Sequence, residues 1–175
     1  YLFTIVIFHD FCYNCICSET GRLKRNALRG YFAKQALNSY ERKELLSMSF
    51  RFSLHGIWDF KLDCEKQGLE AHYELQEFED TILLPTTVSE AKKGTPDSKA
   101  ETGYLTDPYE MSGYSWYRKT ITLPFSDPSD LEGKQFELKL ERTRISYVWV
   151  DGIFAGSFDS FIAGHTYDLT SFVKT

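Results

Sequence analysis

A chain of 175 residues with 42% hydrophobic and 16% aromatic side chains can build one ordinary core plus an appendage. Its net charge of −5 argues against a nucleic-acid binder, because phosphate recognition needs a surplus of Lys and Arg on one surface. Fourteen Phe and eleven Tyr favour strands, where flat rings pack on a pleated face.

Residues 1–47 carry seven basic and four acidic side chains, whereas 13 basic and 21 acidic ones follow, so composition marks a boundary near Met48. Leu2 to Phe8 reads LFTIVIF, an apolar run too short to span a bilayer. It has the character of a secretory signal remnant, of an ordinary strand, or of a stretch foreign to the domain. His9 and Asp10 end it early, and no small-residue cleavage site follows. As a signal remnant it favours a periplasmic or secreted location over a cytoplasmic one. His9, Cys12, Cys15 and Cys17 offer nitrogen and sulfur ligands. Cys15 and Cys17 are too close together, however, and the farther ligand pair of a zinc finger is missing, so no metal or other cofactor is expected. Cys64 stands alone in the remainder, which excludes an internal disulfide there. Arg22 to Leu46 has helical spacing, with Leu23, Ala27 and Tyr31 on one stripe and Leu28, Phe32 and Ala36 on the next. Asn38 and Glu41 form a capping box that restarts this helix. The expectation is a partly helical extension over 1–47 and a domain over 48–175.

From Phe50 the period becomes two. Phe50, Phe52, Leu54, Trp58, Phe60 and Leu62 share one face, and Arg51, Ser53, His55, Asp59 and Lys61 the other, which describes a strand half buried on a core. Gly56 within it suggests a bulge or a close backbone approach. Thr81 to Leu84 is a short apolar strand stopped by Pro85. Residues 85–115 are rich in Gly and Pro and read as a loop, long enough to suggest function. Trp116 to Leu123 resumes strand character, with Tyr117, Ile121 and Leu123 on one side. Gln135 to Glu141 alternates with Phe136, Leu138 and Leu140 inward. Tyr147 to Val150 places Trp149 in the core and leads into Asp151-Gly152, a strong hairpin signal, followed by a strand from Ile153 to Ala155. Short strands with no helices between them predict an antiparallel sandwich or barrel. The Cys-Trp-Cys pattern of an immunoglobulin domain is missing, which leaves an all-β jelly-roll β-sandwich as the best remaining choice.

Six blocks carry a family resemblance. They are Leu54-His55-Gly56-Ile57-Trp58-Asp59-Phe60, Ile82-Leu83-Leu84-Pro85-Thr86-Thr87 and Gly113-Tyr114-Ser115-Trp116-Tyr117-Arg118-Lys119. The others are Gly133-Lys134 with Leu138 to Arg142, Val148-Trp149-Val150-Asp151-Gly152 with Gly156, and Asp159-Ser160-Phe161 through His165-Thr166-Tyr167-Asp168-Leu169-Thr170. In this order they resemble the amino-terminal sugar-binding domain of glycoside hydrolase family 2, which includes β-galactosidases, β-glucuronidases and β-mannosidases. Two departures stand out: Thr86 replaces the usual Gly, and Gly164 the usual Pro. Residues 1–47 take no part in the match.

The resemblance implies retaining hydrolysis of O-glycosyl bonds, most nearly β-galactosidase-like, by two carboxylates about 5–5.5 Å apart. It also implies that both carboxylates come from a downstream TIM barrel, reached through an immunoglobulin-like domain. No Glu here matches a catalytic motif, and Glu74, Glu77 and Glu79 suit solvated faces. The expected role of this segment is therefore an accessory wall for a carbohydrate, a β-glycoside, with no catalytic residue of its own and no membrane span. By resemblance Asp159, with Ser160 beside it, contacts a substrate hydroxyl, although Asp159 would equally serve as a turn cap. His165 bonds sugar or orders the loop, and Asp107 in the long loop is a further candidate. Tyr104, Tyr109 and Tyr114 offer flat faces for stacking, or pack onto their own domain. Two other readings stay open: a stand-alone carbohydrate-binding module, and a jelly-roll interaction domain with no sugar ligand.

Overall fold

The computed structural model describes residues 2–10, 16–23, 49–97, 108–123, 131, 134–141 and 143–173. In chain order the strands are β1 (Leu2–Asp10), β2 (Ile16–Leu23), β3 (Ser49–Ser53), β4 (Gly56–Asp63), β5 (Asp80–Leu84), β6 (Thr95–Pro96) and β7 (Tyr109–Glu110). They continue with β8 (Tyr114–Thr122), β9 (Lys134–Glu141), β10 (Ile145–Val150), β11 (Ile153–Asp159) and β12 (His165–Asp168), and a short helix α1 (Thr170–Val173) follows. A six-stranded sheet runs β11-β10-β1-β8-β4-β5, and a four-stranded sheet runs β12-β9-β2-β3. Every pairing in both sheets is antiparallel.

The two sheets share one core. Phe3, Ile5 and Ile7 of β1, Trp58 and Phe60 of β4, Tyr117 and Ile121 of β8 and Val148 and Val150 of β10 meet Leu138 and Leu140 of β9 and Tyr167 of β12. The inward faces expected for Gln135–Glu141 and for Tyr117, Ile121 and Leu123 are the observed ones. Trp58 is buried with its indole N–H donating to the Leu54 carbonyl at 2.8 Å, so its one polar atom is satisfied.

The boundary near Met48 does not divide these sheets. β1 lies between β10 and β8, paired residue for residue from Ile5↔Val150 to Asp10↔Ile145 and from Leu2↔Thr122 to Asp10↔Tyr114. β2 lies between β9 and β3. Phe3, Ile5 and Ile7 enter the core while Val6 and Phe8 are buried on the opposite face. Burial of such side chains is worth roughly 1.5–3 kcal/mol each. Five of them rival the ~5–15 kcal/mol that holds a typical domain together. This strand is a principal member of the fold. The helix read over Arg22–Leu46 is corrected at its start, where Arg22 and Leu23 end β2; Ala27 to Leu46 lie outside the described residues.

The face of the larger sheet away from the core is also covered. Val6, Phe8, Trp116 and Trp149 form a second buried cluster, flanked by Tyr73, Phe78, Tyr114 and Tyr147. Trp149 therefore fills this outer cluster and not the space between the sheets: it is 8% exposed, and its ring stacks on Trp116 at 5.5 Å and 28°. The connection from β4 to β5 folds over the cluster. Asp63, at the end of β4, accepts from the backbone N–H of Gln67 (2.9 Å) and Gly68 (2.8 Å) and from Trp116 Nε1 (3.3 Å). Arg118 lies over the Phe78 ring and donates to the Glu74 carbonyl at 3.1 Å.

Two further readings change. The alternating run from Phe50 is two strands in different sheets, β3 and β4, and Gly56 at φ 112° marks the crossing. The run expected to be loop from 85 to 115 contains a small ribbon, with Thr95↔Glu110 and Pro96↔Tyr109 paired.

Candidate functional site

β10 turns into β11 at Asp151 and Gly152, with φ of 49° and 79°, the positive values that a two-residue hairpin requires. Asp151 also ties the hairpin to β1: its Oδ1 accepts from Thr4 N–H at 2.7 Å, and its own N–H donates to the Thr4 carbonyl at 2.9 Å. β11 is then the outer edge of the six-stranded sheet. Its register shifts between Val148 and Trp149, a bulge that adds one residue to β11. Phe154 and Phe158 are four apart and would share a face on a regular strand. Because of the bulge, Phe154 joins Tyr147 and Trp149 outside, and Phe158 turns to His165 and Tyr167 of the other sheet.

The loop after β11 is held from below. Ser160 N–H donates to the Arg144 carbonyl at 2.8 Å, and Ser160 Oγ accepts from Ala163 N–H at 3.1 Å. His165 is 1% exposed and lies in hydrogen-bond contact with the Ser160 carbonyl through Nε2 (3.1 Å) and with Ser146 Oγ through Nδ1 (2.5 Å). Ser146 Oγ is also 2.6 Å from the Tyr167 hydroxyl, which lies 3.0 Å from the Ser146 carbonyl. Burial pushes the Tyr167 hydroxyl up to about 12, against hydrogen bonds with Ser146 and the Phe158 backbone that pull it down. A buried polar cluster of this kind is stable only when each member has a partner, and here each has one.

The sequence candidates separate under this geometry. Asp159 is exposed at the end of β11, and its carboxylate has no partner among the described residues. The turn cap is Ser160, not Asp159. His165 is buried, and its ring nitrogen Nε2 faces the Ser160 carbonyl of the loop. Asp107 and Tyr104 lie outside the described residues. Tyr114 packs edge-on against Phe8 at 4.5 Å, and half-buried Tyr109 sits in the β6–β7 ribbon. Glu77 and Glu79 are exposed, and Glu74 pairs with His72 at 2.8 Å.

The structure adds Ser146 and Tyr167, which were not singled out for the site. Tyr167 was legible in principle: it sits two residues after His165, on the same face of a strand. Ser146 carries no sequence signal. At the loop tip, Phe161 and Ile162 are 83% and 97% exposed. Among the described residues no three His, Cys, Asp or Glu side chains converge as a metal site, and Cys64 is an exposed free thiol. No described helix is long and apolar enough to cross a membrane. No family model, curated protein or solved structure matches the chain.

Proposed function

We propose that this sandwich is the jelly-roll sugar-binding domain of a family 2 glycoside hydrolase, with the loop from Asp159 to Gly164 as the element that meets the carbohydrate. The observation that carries the reading is an exposed carboxylate, Asp159, without a partner among the described residues, beside a turn clamped by buried groups. A carboxylate accepts hydrogen bonds from two adjacent sugar hydroxyls, and a preordered loop loses little entropy when it does so. The six sequence blocks support the same assignment, and an antiparallel two-sheet fold is the architecture it requires. Hydrolysis belongs, on this reading, to a pair of carboxylates in a separate barrel of the parent protein.

The test is a titration of the 15N-labelled chain with methyl β-D-galactopyranoside, then the β-glucuronide and β-mannoside. The expected result is perturbation of the amides of residues 159–164 by one of them, abolished in Asp159→Ala. If all three sugars leave that loop unchanged, the carbohydrate reading fails. The exposure of Phe161 and Ile162 favours a second reading, a protein-facing tip, and a hydrolase whose adjoining domain covers them would contain both features.

A further inference from the structure

We infer that His165 is the positioning residue of the Asp159 loop, acting through a hydrogen-bond chain whose direction can reverse; this rests on the reading of that loop as ligand-facing. Proton counting fixes one direction. The Ser160 carbonyl can only accept, so His165 Nε2 carries the proton of that contact. In a neutral imidazole Nδ1 is then bare and must accept from the Ser146 hydroxyl. Ser146 Oγ, its proton committed, accepts from the Tyr167 hydroxyl, whose oxygen accepts in turn from the Phe158 backbone N–H. Each hydroxyl donates once, and the chain ends on the loop.

The same atoms serve the protonated ring. Nδ1–H then donates to Ser146 Oγ, the Ser146 hydroxyl turns to Tyr167, and the Tyr167 hydroxyl turns to the Ser146 carbonyl at 3.0 Å. No heavy atom has to move, and the bond from Nε2 to Ser160 is kept in both states. Among the described residues this chain is the place where such a charge is accommodated. Phe158 of β11 stacks on the ring, and Asp159 follows it on the opposite face of that strand. On β9, Leu140 pairs with His165, while Lys139 and Glu141 pair with each other at 3.3 Å, half exposed. On β12 Tyr167 joins the chain and Asp168 is exposed, and from before β10 Arg144 is exposed.

The experiment compares the full chain with His165→Ala, His165→Gln and Tyr167→Phe. Side-chain 15N shifts of the wild type are expected to show the Nε2–H tautomer, and the opposite tautomer would overturn the inference. Exchange protection at Ser160 and Ala163 is expected to fall about tenfold or more in His165→Ala, and to recover in His165→Gln, whose amide can still donate to Ser160. That protection is also expected to drop in Tyr167→Phe, which removes the hydroxyl at the far end of the chain. Unchanged protection in His165→Ala, or no difference in Tyr167→Phe, sinks the positioning role. If His165→Ala fails to fold, the Tyr167→Phe comparison and the tautomer still decide. With methyl β-D-galactopyranoside as probe, a weaker affinity in His165→Ala that His165→Gln restores supports the role in binding. Protection that behaves as expected in a chain that binds no sugar upholds the clamp and overturns the ligand reading instead.

Discussion

A methyl group placed on Gly68 would lie 2.6 Å from the Trp116 ring and 2.7 Å from the Asp63 carboxylate that accepts the Gly68 amide. Neither neighbour can yield, since Trp116 is fully buried and Asp63 holds three donors. Gly68→Ala is expected to destabilise the protein by about 1–3 kcal/mol, read from urea unfolding followed by tryptophan fluorescence. A second residue sets a pH limit. Tyr167 binds its proton more tightly when folded, at about 12 against 10.0, so folding favours the protonated hydroxyl. Its contribution is intact below pH 10 and is lost as pH rises through the folded value. Melting temperature is expected to fall over that alkaline window, and Tyr167→Phe should remove this part of the decline. A slope that persists unchanged in the variant would assign it to other groups.

At the level of elements, β1 is the telling case. A strand covered on one face alternates, but one covered on both reads as a continuous apolar run. LFTIVIF is continuous because the core lies on one side and the Trp116–Trp149 cluster on the other. Composition alone cannot tell such a strand from a truncated signal segment, which is why the front was read as an extension. The half-covered strand β9 was legible down to the face of each residue, and the Asp151-Gly152 hairpin was legible from two residues. Trp149 was misplaced because alternation gives the face it shares with Tyr147 but not which face points to the core. In the site, Asp159 and His165 were named from sequence, whereas Ser146 enters through a contact between the two facing sheets, which no local pattern encodes. Removal of residues 1–47 is accordingly expected to abolish the fold and not to trim it. Ile5→Ala, milder, should cost about 2–5 kcal/mol. A well-dispersed amide spectrum from the shortened chain would refute the central place of β1.

For the whole molecule the arrangement of pairs matters more than any one of them. Ile5 pairs with Val150 and Leu2 with Thr122, so the middle of the larger sheet closes between residues far apart in sequence. Loop closure on this scale precedes any reward from packing, and folds of this type form in milliseconds to seconds. Refolding in stopped flow, followed by the buried Trp58, Trp116 and Trp149, is expected in that range, and a microsecond phase carrying the full amplitude would contradict it. Biosynthesis adds an asymmetry of its own. The ribosome releases β1 before the other strands described here, and one of its two partners, β10, emerges roughly ten seconds later at ordinary translation speeds. Until β8 follows, a stretch of seven mostly greasy residues has no sheet to join, and one of its edges stays bare until β10 arrives. The nascent protein must be sheltered by a holding chaperone or lose yield to clumping, a toll set by strand order rather than by final stability.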